Sequence, residues 1–345
     1  MKAAILTHLN APLEIKEVEL TPLCAGQVLI RVAVSGLCGA QLQEIKGHKG
    51  NAKFLPHLLG HEGCGIVEEV GVGVSRVAVG DKVVMHWKKG EGIESHFPTY
   101  ILNGKKISGG KVTTLSEYSI ASENRLTVVP ADTSEYLSAL LGCGMTTALG
   151  AINNDAELKF GESILILGCG GIGLNLIQGA ILGRAHPVTC VDIKEKKKHN
   201  ALAVGASKFV TRIDDLDDSE KFDVIIDTTG NHELISKSFS FLGDGGRYVL
   251  VAQPPPGQEL RIPNAAHLWA SRGKTILASQ GGNTSPNDDI PRYVKMHQAG
   301  LLSIDKIITH TFALEQINEA LDLLRFGNPG RIMIRIGNEG TLSVE

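Results

Sequence analysis

From Val28 to about Pro130 the chain runs in short apolar stretches punctuated by glycine: VLIRVAVSG, GCGIVEEVG, GDKVVMHW, SEYSIAS and RLTVVP. Each contains a strand-length core bounded by turn residues, which predicts an all-β unit. The stretch Lys88–Thr114 breaks the pattern with Lys, Gly and Ser and shows no clear period, so it predicts a long surface lobe. After about Met145 the pattern changes. SILILG, VTCVDI, KFV, DVIIDTTG and RYVLVA alternate with helical stretches at Ile172–Gly183, Glu195–Val204 and His232–Phe241, and TILASQ ends the series. Repeated β-α-β units predict a parallel sheet with helices on both faces. Beyond it lie a polar stretch, Asn283–Asp289, two helices, Ile290–Ala299 and Leu314–Phe326, and a last strand, RIMIRI. These are too few to fold alone and are expected to pack back on the first unit.

Ser163–Gly183 carries no charge and is long enough to mimic a membrane span. Six glycines interrupt it, five of them between Gly168 and Gly179, which fits a buried strand, a glycine turn and a buried helix instead.

Composition narrows the function. With 34 Lys+Arg against 37 Asp+Glu and no long basic run, the chain offers neither a nucleic-acid groove nor a membrane patch, so the expected partner is a small molecule. No secretory apolar core opens the sequence, which predicts a cytoplasmic protein. Six cysteines in 345 residues are too sparse for a disulfide framework and point to burial or metal binding.

Gly168, Gly170 and Gly173 form a GxGxxG motif, written GCGGIG through Gly171 and Ile172, between an apolar strand and a helix. The first glycine permits a tight turn, the second lets a pyrophosphate approach the backbone, and the third packs helix on strand. Asp192 ends the next strand, 19 residues after Gly173, where a carboxylate can accept both ribose hydroxyls and repel a 2′-phosphate. Together these predict binding of NAD rather than NADP.

Cys38, His61 and Cys143 each stand beside glycine, in GLCGA, LLGHEGCG and LLGCGMTT. Taken singly, each reads more readily as a core residue than as a ligand. Taken in order with GHEGCGIVEEVGVGV, GDKV, SEY, GCG and GCGGIG, the sequence resembles the zinc-dependent medium-chain dehydrogenase/reductase family, zinc alcohol dehydrogenase type, over nearly its whole length. The resemblance implies an α/β fold: a GroES-like catalytic domain from 1–144 and 279–345, and a Rossmann, doubly wound parallel-sheet domain at 145–278. It also implies that Cys38, His61 and Cys143 hold a catalytic zinc, with Glu62 the carboxylate beside it. Thr147 would lie near the nicotinamide, Lys197 near the adenosine ribose and Arg331 near the pyrophosphate. Trp87 falls where the family lines its substrate pocket with an aromatic, although a core aromatic fits that position equally well. A homodimer or homotetramer is implied.

Two departures matter. Val84–Leu115 contains no cysteine, so the four-cysteine structural zinc site found in many relatives is absent. After Cys38 the family places a Ser or Thr and then an Asp, whereas this chain has Gly39, Ala40 and Gln41. Ala40 cannot relay an alcohol proton, and Gln41 replaces the carboxylate that orients the zinc histidine. The leading expectation is a zinc- and NAD-dependent alcohol or ketone oxidoreductase acting on a polar secondary alcohol such as a sugar, polyol or cyclitol. Reduction of C=C or C=N bonds is one alternative, and a non-catalytic nucleotide-binding protein is another.

Overall fold

Gln27–Leu37 is rich in β-branched residues and almost entirely buried, as a central strand requires. It pairs antiparallel with Glu62–Val70, with Tyr118–Ser122 and, at its C-terminal half, with Arg331–Arg335. A computed structural model describes residues 1–49 and 52–337; the expected return segment 279–345 therefore lies partly outside the described residues. Within them, Ile308–Ala313 and Arg331–Arg335 join the sheet of the N-terminal unit. A second sheet runs in the order Glu14–Glu17, Lys2–Leu6, His57–Leu58, Lys105–Ser108, Thr99–Leu102 and Glu19–Leu20.

That second sheet corrects the reading of Lys88–Thr114 as a surface lobe. Thr99–Leu102 and Lys105–Ser108 form a hairpin, and its Tyr100, Leu102 and Ile107 are buried with Ala3, Ile5 and Ile120. Asn103 and Gly104 both adopt positive φ, 51° and 73°, which is the two-residue turn that suits the twist of paired strands. The stretch Asn283–Asp289 also needs correction, because the helix begins at Pro286. Proline is preorganised for the first helical position, Asp288 and Asp289 favour the first turn, and the Asp289 carboxylate accepts the Ser285 N–H at 2.8 Å.

The second unit is an all-parallel sheet in the order Lys208–Val210, Val188–Val191, Ile164–Leu167, Phe222–Asp227, Leu242–Leu250, Thr275–Ala278. The order reverses beside Ile164–Leu167, which opens a crevice at the C-terminal ends of the strands. The apolar stretch that mimics a membrane span is the strand Ile164–Leu167, the glycine turn and the helix Gly171–Leu182. Among the described residues no helix is long and apolar enough to cross a membrane.

Helices Glu135–Leu141 and Gly144–Gly150 join the units. Val34, Val84 and Met333 of the first sheet share one buried core with Leu140, Met145, Ile164 and Leu174. This continuous packing fixes the glycine turn of one unit against the cysteines and histidine of the other.

Candidate metal centre and dinucleotide turn

Three chain ends deliver Cys38, His61 and Cys143 to one place. Cys38 follows the strand Gln27–Leu37 and caps the helix Gly39–Ile45, His61 precedes the strand Glu62–Val70, and Cys143 stands between the two joining helices. Gly60, at φ +99°, makes the bend before His61, and a side chain there would collide with Thr114. The ligand atoms of Cys38, His61 and Cys143 all lie within 4.8 Å of one another.

The two thiols are unequal. Cys38 is held well below the ordinary thiol range, chiefly by the hydrogen bond from the Cys143 thiol, with Arg331 and His61 helping against the cost of burial. Cys143 is pushed well up by donating that bond and by burial, while the Thr147 hydroxyl bonds to it and opposes the rise. A partly exposed thiol, Cys38, and a buried one, Cys143, thus share one proton, an arrangement that a cation would complete.

Glu62 is fully buried and engaged at both oxygens. Oε2 accepts the Gly144 N–H at 3.0 Å, and Oε1 forms an ion pair with Arg331. Arg331 is likewise buried, and it lies against Gly171 on its other side, so one side chain touches both the strand that follows His61 and the glycine turn. Its Nε has no partner.

In the turn, Gly168 has φ +94°, and a Cβ on Gly173 would strike the Gly168 carbonyl oxygen, so both positions demand glycine. Gly170 faces open space, and Ile172 is half-buried in the first turn of the helix. Asp192 accepts N–H bonds from Cys169 at 2.8 Å and Lys194 at 3.0 Å, and Lys197 Nζ reaches it at 2.9 Å. Trp87 is half-buried and packs on Gly281, where a Cβ would come within 2.6 Å of the indole.

Family profiles match both units: one described as "Alcohol dehydrogenase GroES-like domain" covers residues 24–131, and one described as "Zinc-binding dehydrogenase" covers 171–299. "Alcohol dehydrogenase 6" of Peromyscus maniculatus is 31% identical, over 94% of this chain and 95% of its own length. The chain belongs to the zinc-dependent medium-chain dehydrogenases. This dehydrogenase is an oxidoreductase built from a GroES-like domain and a Rossmann domain. It is also 29% identical to an "S-(hydroxymethyl)glutathione dehydrogenase" of Escherichia coli O1:K1, over 97% of this chain and 99% of that one. Among solved structures, an "Alcohol dehydrogenase zinc-binding domain protein" from Burkholderia ambifaria superposes with a TM-score of 0.88 at 25% identity, covering 98% and 99% of the two chains. "2R,3R-butanediol dehydrogenase" from Bacillus subtilis gives 0.77 at 25% identity, also covering 98% and 99%.

Sequence reasoning missed Glu44, which lies on the same short helix as Gln41 and three positions on. Burial raises its carboxyl, while His61, His57 and Lys49 pull it down and Cys38 pushes it up, so it belongs to the same electrostatic neighbourhood as Cys38 and His61. Its spacing, i+3 from Gln41, was the available signal. In the dehydrogenase's Lys88–Thr114 stretch, where no cysteine stands, Glu94 was also missed. Its carboxylate accepts from Lys111 at 2.7 Å, Arg125 at 2.9 Å and Asn124 at 3.1 Å. Burial alone would raise Glu94, but these partners together hold it at about 2.

Proposed function

We propose that this chain interconverts alcohols and carbonyl compounds with NAD, using one zinc ion on Cys38, His61 and Cys143 and no structural zinc. The observation that carries the reading is the convergence of two thiols and an imidazole within 4.8 Å, tied through Glu62 and Arg331 to a glycine turn. Soft thiolates with imidazole suit zinc and leave a fourth position open. When bound, zinc polarises a substrate oxygen and the nicotinamide gives or takes the hydride at carbon.

The chain's own residues do the rest. The N–H groups opening the helix Gly171–Leu182, with the Arg331 side chain lying against Gly171, suit a pyrophosphate. Oδ1 of Asp192, which accepts only the Lys194 N–H, keeps acceptor capacity for a ribose hydroxyl, and Lys197 on Oδ2 fixes the rotamer. Thr147 orients Cys143 on the nicotinamide side, and Trp87 walls the substrate side against Gly281. Ala40 has no hydroxyl, and Glu62 is occupied by Arg331 and Gly144, so Glu44 is the carboxylate left to accept the alcohol proton.

Glu44, His57 and Lys49 make this neighbourhood polar, which supports a polar secondary alcohol such as a sugar, polyol or cyclitol. The likeness to a butanediol dehydrogenase points the same way. The missing hydroxyl at Ala40 favours one second reading, reduction of a C=C or C=N bond. Thr275–Ala278 is an exposed edge strand paired on one side only, with Trp269 76% exposed nearby, and supports a homodimer or homotetramer. All six cysteines are free thiols, as suits the cytosol. The test is NAD reduction across primary alcohols, secondary polyols and cyclitols by zinc-loaded protein, with elemental analysis alongside. Turnover of a secondary polyol with one zinc per chain is expected. No oxidation of any alcohol, or two zincs per chain, overturns the reading.

A further inference from the structure

Gln41 is fully buried at the third position of the helix Gly39–Ile45, where its side chain reaches back to the capping residue. Its Oε1 accepts the Cys38 backbone N–H at 2.8 Å. A backbone N–H can only donate, so this bond fixes which way the amide points. The NH2 group therefore faces Nδ1 of His61, 2.7 Å away. An NH2 group can only donate in turn, so Nδ1 must present its lone pair and the ring proton must sit on Nε2. With Nδ1 taken up by Gln41, Nε2 is the nitrogen left for Cys38 and Cys143, whose sulfurs lie within 4.8 Å of the imidazole ligand atom.

We propose that Gln41 is a positioning residue that holds metal-free His61 in the Nε2–H tautomer, the form that cannot ligate a metal through the nitrogen facing Cys38 and Cys143. Loading a metal moves the imidazole proton to Nδ1. That nitrogen then needs an acceptor, and Gln41 supplies one only by turning its amide over, which sets NH2 against the Cys38 N–H and breaks that bond. A carboxylate at position 41 would accept from Cys38 N–H and from Nδ1–H together, with no such conflict. The side chain thus makes the site exchange its metal more readily than a carboxylate would. This inference rests on the reading of Cys38, His61 and Cys143 as metal ligands.

Two measurements test it. The first is the nitrogen-15 spectrum of His61 in metal-free, reduced protein at about pH 8.5, above the ordinary histidine range, assigned by the signal missing in His61→Gln. The proton is expected on Nε2 in the native chain and on Nδ1 in Gln41→Glu. The second is the zinc dissociation constant, measured by competition with a chelating indicator. Gln41→Glu is expected to bind at least about tenfold more tightly, the lower end of what an outer partner of a ligating histidine contributes.

A purely electrostatic effect of the new charge would tighten zinc without moving the proton, and a purely capping role would move neither. A native His61 protonated on Nδ1, or a Glu variant with unchanged tautomer, overturns the proposal. If Gln41→Glu fails to fold, the native spectrum decides alone. If neither protein binds zinc, the metal reading of the site falls, while the tautomer result still decides the part played by Gln41.

Discussion

Two places in the catalytic domain gather polar groups from distant segments, and they finish in opposite states. At Glu94 a carboxylate meets Lys111, Arg125 and Asn124, and its proton affinity falls to about 2 because the charge it carries is answered. At Cys38 and Cys143 two thiols divide one proton, and His61 meets an amide that donates to it. The first cluster closes a segment that contains no cysteine. The second gathers two thiols and an imidazole, a donor set that suits a cation. A buried polar group with its partner in place reads as structure, and one whose partners compete reads as a site.

The sharpest way to break this contrast is to remove a ligand. Cys143→Ala is expected to abolish both zinc uptake and turnover while NADH binding, followed by fluorescence, stays near the native value; retained turnover would remove the thiols from the chemistry. Next in size is the proton path. General acid–base assistance is worth roughly 10² to 10⁴ in rate, so Ala40→Ser should speed simple alcohols and shift their pH profile. Glu44→Gln should slow all alcohols, and equal rates for the native and Gln chains would exclude Glu44 as acceptor.

Cofactor choice comes third. NAD is expected to be preferred over NADP by at least about tenfold, on the order of 1.4 kcal/mol. Asp192→Ser should narrow that gap, and equal native use of both cofactors would place Asp192 away from the ribose. Glu94→Gln should change turnover least. It leaves Arg125, whose side chain is 6% exposed, without its charged partner, at a cost of about 1–3 kcal/mol in unfolding free energy. Because the folded carboxyl lies below its unfolded value, the native contribution is present above about pH 4.3 and fades as pH falls toward 2. Acid denaturation that does not distinguish the Gln variant from the native chain would mean that Glu94 stabilises nothing.

The local pattern revealed much of the fold. Alternating strands and helices, GCGGIG and Asp192 are short-range signals, and the Rossmann sheet follows from them. The hairpin at 99–108 was legible too, in Asn103-Gly104 between apolar residues, but lysine and glycine around it masked the signal. Arg331 and Glu62 could not be paired in advance, because 269 positions separate them and neither stretch hints at the other. Cys38, His61 and Cys143 were selected only through motifs shared with a family; as isolated residues their burial would have said little. Gln41 was visible as a departure, yet its consequence needed the direction of a single backbone N–H.

Arg331 makes the two halves of the enzyme thermodynamically answerable to each other. Its positive charge favours the Cys38 thiolate from one side, while its flank rests on Gly171 and its buried Nε has no partner. An anion seated at the glycine turn shares that charge, and whatever free energy this removes from the thiolate is matched, with the same sign and size, by weaker anion binding when the thiolate is present. Dinucleotide affinity and sulfur protonation are therefore expected to move together, so that titrating either would report on the other.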